Sequence, residues 1–207
     1  MRATFTDFKP RLAALVYQPG TDIDLIFHQA VAEFRRRNIK VGGIIQCSGR
    51  CSTTRRRAMF VEDLSTGRFL QISQDLGAGA RSCILDPAAL ATAAQIVRHA
   101  VNDRVDVIVV NRFGEQEACG RGLRSELAEA AIAGAFVLTA LKACHLEAWR
   151  DFGGEFAAVL KPKAQAVCDW IADAAASKLA SRRAPVDWEE PTDRWGWSRR
   201  SEAAIQS

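Results

Sequence analysis

Between Val107 and Leu127 the chain reads VIVVNRFGEQEACGRGLRSEL, an apolar run that breaks into Asn111, Arg112, Glu115 and Glu117. Open α/β sheets place their working side chains at such a point, just beyond the carboxyl end of a buried strand. Carboxylates there can hold a magnesium ion or orient a water, which makes Glu115 and Glu117 candidate catalytic groups. The same two carboxylates could instead pair with Arg112, Arg121 or Arg124 in a purely structural network. Gly114, Gly120 and Gly122 let the backbone turn tightly, and exposed amides beside the Arg121 guanidinium suit an oxyanion.

A second polar loop, Gln74-Asp75-Leu76-Gly77-Ala78-Gly79-Ala80-Arg81-Ser82-Cys83, offers Gln74, Asp75, Gly77 and Arg81 as further ligand-binding candidates, with Asp75 a third candidate catalytic carboxylate. Were both loops on one sheet edge they would share a pocket; otherwise this one is a surface turn. The first turn, Tyr17-Gln18-Pro19-Gly20-Thr21-Asp22, stands where a phosphate-binding loop would be but lacks G-x-x-x-x-G-K-[ST] and its lysine. Ordinary triphosphate hydrolysis is therefore disfavoured, although amides at a helix start could still take one small anion. Cys47, Cys51, Cys83 and Cys119 would make a thiolate metal site only if their loops converged, and their spacing is looser than paired C-x-x-C. His28, His99 and His145 fall in helical segments far apart and read as structural. Arg55-Arg56-Arg57, in a loop, could attract a phosphate, whereas Arg35-Arg36-Arg37 reads as a solvated helix end.

Apolar runs at Leu12 to Tyr17, Val41 to Gln46, Val105 to Val110 and Ala135 to Ala140 read as four buried strands. Helical spacing follows Thr21 or Asp22 as cap, with Ile23, Ile26, Phe27, Ala30, Val31 and Phe34 recurring until Arg35-Arg36-Arg37-Asn38 closes it. Asp86-Pro87 starts a second helix running to about Val101, Leu123 to Ala133 a third, and Cys144 to Phe152 and Pro162 to Leu179 two more. Cys144 and Cys168 read as small core residues on these helices. Met59 to Leu64 and Arg68 to Ser73, joined through Ser65-Thr66-Gly67, read as a β-hairpin inserted after a loop, CSGRCSTTRRR. Strands alternating with helices predict a three-layer α/β sandwich with a mostly parallel sheet and a C-terminal helical extension. One domain over residues 1–180 is expected, with 181–207 as a tail carrying Trp188, Trp195 and Trp197, disordered or laid over the body.

The net charge of +4 in 207 residues is mild and locally clustered, which favours small anions over a nucleic-acid surface. No run of about 18 apolar residues and no secretory signal is present, so a cytoplasmic protein with reduced thiols is expected.

LAALVYQPG, ISQDLGAGARSCILDPAAL and, above all, VIVVNRFGEQEACGRGLRSELAEAAIAGAFVLTAL resemble an uncharacterised bacterial family of unknown function, over about residues 10–160. Its members are often encoded beside molybdate-transport genes and are sometimes labelled molybdenum transporter ATP-binding proteins; NRFG-x-x-E-x-x-GRG is the most specific block. That family is distantly similar to small nucleoside-triphosphatases of the P-loop class, whose second acidic motif reads D-E-[IV]-G-x-x-E. Asn111 and Arg112 stand where that motif has its acidic pair, Gly114 at its glycine and Glu117 at its final glutamate. The resemblance implies a P-loop-like fold whose chemistry has been lost or replaced, since the lysine is absent and an arginine in the acidic slot repels magnesium.

The leading expectation is thus a binding protein, not a conventional P-loop NTPase, holding an oxyanion or nucleotide through Arg112, Arg121, Arg81 and glycine amides, in the service of molybdenum metabolism. The expected partners are a small anionic ligand, molybdenum-handling proteins and a second copy of the chain, without nucleic acid or membrane insertion. One alternative is a magnesium-dependent nucleotide phosphohydrolase using Glu115, Glu117 and Asp75, magnesium being implied only there. Another is a thiol-based metal carrier.

Overall fold

A computed structural model describes residues 10–50, 57–74 and 85–183. Its centre is a seven-stranded sheet in the order β4-β3-β2-β5-β6-β1-β7. The strands are β1 (Leu12–Tyr17), β2 (Val41–Arg50), β3 (Arg57–Asp63), β4 (Phe69–Gln71), β5 (Val107–Asn111), β6 (Phe136–Lys142) and β7 (Ala157–Leu160). The run β2-β5-β6-β1-β7 is parallel, while β3 and β4 add antiparallel to the β2 edge. All five residues of β5 are buried, as a central strand covered on both faces requires.

Helices cover both faces. On one side α1 (Ile23–Arg36) buries Ile23, Phe27, Ala30, Val31 and Phe34 beside α6 (Ala164–Arg183), which contributes Val167, Cys168 and Ile171. On the other lie α2 (Pro87–Asn102), α4 (Arg124–Ile132) and α5 (Leu146–Gly153), with Ala93, Val97, Leu127 and the fully buried Trp149 in the core. A four-residue α3 (Glu115–Ala118) follows β5 directly. Asp22 caps α1 by accepting the Leu25 N–H at 3.0 Å, and Asp86 caps α2 ahead of Pro87. The paired glycines of β2 permit close approach: a Cβ on Gly42 would stand 2.6 Å from Ala100 Cβ of α2, and Gly43, at φ +98°, would drive one onto the Val109 carbonyl.

Several expectations need correction. The stretch expected to leave the sheet after Gln46 continues as β2 to Arg50 and pairs antiparallel with β3, so Cys47 is a strand residue rather than a loop thiol. The inserted hairpin is thereby a three-stranded edge of the main sheet. A fifth parallel strand, β7, was not expected; at four residues with no fully buried position its pattern is too weak to read. α6 runs to Arg183, past the helix end expected at Leu179, and Cys144 is exposed rather than a core residue. Arg55 and Arg56, and the tail from 184, lie outside the described residues.

Candidate functional site

The parallel strands end together on one edge, and there a cleft of about 820 Å³ opens between that edge and the first half of α2. Asn111, Arg112, Gly114, Glu115, Glu117 and Arg121 line one side of it. The end of β5 and the stretch through α3 to Arg121 therefore bring six of the expected residues to one place. Gly120 lies on the same turn, exposed at φ +79°. Gln74 is exposed at the end of the described segment after β4, whereas Asp75, Gly77 and Arg81 lie outside the described residues.

The Glu117 carboxylate turns back onto its own loop. One carboxylate oxygen accepts the Gly114 N–H at 2.9 Å and the other the Leu123 N–H at 2.9 Å, with the side chain only 7% exposed. It clasps the turn from Gly114 to Leu123 on itself. Gly122, at φ +61°, passes so close that a Cβ there would collide with the carboxylate. Arg124 bonds the Glu117 carbonyl at 3.0 Å and stacks over Phe152 at 4.8 Å, so this arginine belongs to the scaffold. Glu115, by contrast, is exposed in the cleft.

Asn111 and Arg112 converge on a residue that the sequence did not single out. Asp24, in the first turn of α1, accepts from Asn111 Nδ2 and from Arg112 Nη2 with the same oxygen, each at 3.0 Å. Because a carboxylate only accepts, the Asn111 amide is fixed with its nitrogen toward Asp24 and its oxygen away. That Oδ1, and Arg112 Nε, are buried without a hydrogen-bond partner among the described residues. The Arg112 guanidinium also lies 5.6 Å from the Tyr17 ring centre.

Lys142 and His145 were missed as well. β6 pairs in register with β1 so that Lys142 stands beside Tyr17, and both line the cleft. A lysine, absent from the first turn, thus stands at the neighbouring strand end. Its signal was available, since Lys142 follows an apolar strand just as Asn111 ends one. Among the described residues neither Lys142 nor Arg121 pairs with a carboxylate, and both are exposed.

The far wall of the cleft is apolar. Ile44, Met59, Val61, Leu85 and Leu90 present side chains from β2, β3 and the start of α2. Gln46 interrupts them, and its amide nitrogen lies 3.7 Å from Met59 Sδ, a weak acceptor. At the back Phe113 is fully buried, edge-on to Trp149 at 5.3 Å between ring centres.

On the α1 face His28 links two elements. Nδ1 meets the Asp24 carbonyl at 2.7 Å and Nε2 the Glu62 carboxylate at 2.8 Å. Burial opposes protonation of this ring, but the Glu62 and Asp24 contacts outweigh it and the pKa is raised. Cys47 nearby has its thiol pushed up by burial and by the charges of Asp24 and Glu62, the opposite of what a thiolate ligand needs. No group of three or more metal-ligating side chains gathers among the described residues; Cys119 is exposed, and Cys51 and Cys83 lie outside them. Nor is any described helix long and apolar enough to cross a membrane.

A family model described as "Protein of unknown function (DUF2478)" matches residues 12–170. A relative from Bradyrhizobium diazoefficiens, Molybdenum import ATP-binding protein ModC 2, is 40% identical over 174 residues, which is 84% of this chain but 19% of that protein. The chain therefore spans about a fifth of the length of that curated relative. Among solved structures, a human cancer-related nucleoside triphosphatase superposes with a TM-score of 0.60 at 16% identity, covering 81% of this chain and 98% of that one. The architecture is that of an α/β P-loop-like fold.

Proposed function

The chain belongs to the family of proteins of unknown function DUF2478, and on that footing we propose that it is a binding domain for a small oxyanion or nucleotide, working in molybdenum metabolism, rather than a conventional P-loop NTPase. The observation that carries the reading is the cleft at the sheet's carboxyl edge, where, among the described residues, the exposed cations Arg121 and Lys142 and the half-paired Arg112 meet only one exposed carboxylate, Glu115. Arg112 keeps donors beyond the one given to Asp24, and a guanidinium can serve a carboxylate and a ligand oxygen at once. The first turn offers no lysine for a β/γ-phosphate, and both oxygens of Glu117 already accept backbone N–H groups, which argues against magnesium-dependent hydrolysis. The name of the Bradyrhizobium diazoefficiens relative supports the molybdenum link.

Thermal unfolding with molybdate, tungstate, phosphate and ATP in turn tests the proposal. A ligand at 100 times its dissociation constant stabilises by about 2.7 kcal/mol, a rise of roughly 5–10 °C at this chain length. The rise should vanish in an Arg121→Gln, Lys142→Gln double variant. No rise with any of the four ligands would overturn the reading.

A further inference from the structure

The cleft is far larger than a bare oxyanion. Four oxygens at roughly 30 Å³ each fill about 120 Å³, against the 820 Å³ available. The surplus is not distributed evenly: the cations stand on the strand-end side, while Met59, Val61, Leu85 and Leu90 form an opposite wall that is uncharged among the described residues. An inorganic anion seated there would lose hydration against that wall and gain nothing from it. Gln46 adds a discriminating feature, because its amide lies among these apolar groups with only the Met59 thioether as partner among the described residues. An amide so placed suits the polar edge of a flat ring, whose faces the wall would cover.

We propose that the ligand of this cleft is an aromatic organic anion, its ring seated against Met59 and Leu90 with an edge at Gln46 and its anionic group at Arg112, Arg121 and Lys142. This rests on the anion-binding reading above and narrows it. The ring need not be a nucleobase; the shared chemistry is a flat, mostly apolar body joined to a phosphate-like group.

Isothermal titration of the whole chain with 1-naphthyl phosphate, inorganic phosphate and 1-naphthol tests the pairing of the two halves. Naphthyl phosphate should bind at least about tenfold more tightly than either of the others, a difference of about 1.4 kcal/mol. Leu90→Asn and, independently, Met59→Gln should each remove most of that advantage; both residues are only partly buried, so the fold should tolerate the changes. Arg121→Gln should weaken naphthyl phosphate and leave naphthol unaffected. Phosphate binding as tightly as naphthyl phosphate would overturn the inference while leaving an oxyanion site intact. Naphthol binding equally well, or an advantage surviving both wall variants, would also overturn it. If neither phosphate nor naphthyl phosphate binds, the anion-binding reading falls with it.

Discussion

Replacing Glu117 separates a scaffold carboxylate from a catalytic one. Glu117→Ala strands two backbone donors: the Leu123 N–H, at a buried contact, and the Gly114 N–H, at a partly buried one. An unpaired buried donor costs about 1–3 kcal/mol, and water can relieve part of that at Gly114. The variant also removes a buried charge with its own desolvation penalty, which offsets some of the loss. The net expectation is a destabilisation of about 2–3 kcal/mol, which lowers the thermal midpoint by roughly 5–10 °C in a chain of this size. Glu117→Gln should lose about half as much, because its amide oxygen serves one donor while its NH2 opposes the other. Paired urea and thermal unfolding, with circular dichroism to confirm folding, measure both variants. A Glu117→Ala protein whose midpoint stays within about 1 °C of the parent would refute the clasp, since the stranded donors would then have cost nothing. A Glu117→Gln protein of parental stability that loses phosphate release would favour hydrolysis.

Asp24→Ala should free Arg112 and the Asn111 amide, so that naphthyl phosphate or molybdate binds about threefold or more tightly by titration; weaker binding would mean that Asp24 orients Arg112 instead of competing for it. His28 has a raised pKa, so its contribution to stability is fully present below its unfolded value, about 6.5, and is lost as pH rises through the folded value. The midpoint gap between parent and His28→Gln should therefore be wider at pH 6 than at pH 9, and a gap independent of pH would exclude the imidazolium bridge. The Glu33 carboxyl is held down at about 2, by its hydrogen bonds to Arg36 and Arg37, so its contribution is lost only as pH falls from about 4.5 toward 2. Glu33→Gln should leave neutral-pH stability nearly unchanged, the pair being solvent-exposed. Gly42→Val forces a side chain into Ala100 and should cost about 1–3 kcal/mol in urea unfolding; unchanged stability would mean that α2 does not pack that closely.

What the sequence disclosed follows from periodicity. β1, β5 and β6 are uninterrupted apolar runs, α1 and α2 have acidic caps, and each was readable because one local pattern specified it. β7 and the far half of β2 were not, since their residues are held by neighbouring strands rather than by their own alternation. The site divides in the same way. Asn111, Arg112 and Arg121 could be found from one continuous stretch, whereas Asp24, Gln46 and the pair Lys142 and His145 reach the cleft or its rim from three other segments. Glu117 was visible but its direction was not: nothing in EQEACGRG says that the carboxylate turns back to the amides of its own loop.

Asp24 ties these strands of argument together. P-loop-like folds gather anions where the first helix begins, because that helix's leading amides and dipole favour negative charge. Here the chain places its own carboxylate, Asp24, in that first turn and holds it with Asn111 and Arg112 at the end of β5. A magnesium-phosphate complex is best served by carboxylates at a strand end and free amides at a helix start, so this placement supports the binding reading proposed above over hydrolysis. Arg121 and Lys142, which pair with no carboxylate among the described residues, stand on the cleft side, and the apolar wall across from them continues the same opening. On the proposed reading, ligand recognition lies not at the first turn but in the space between the strand ends and α2, where an anion with an attached ring would have both halves satisfied.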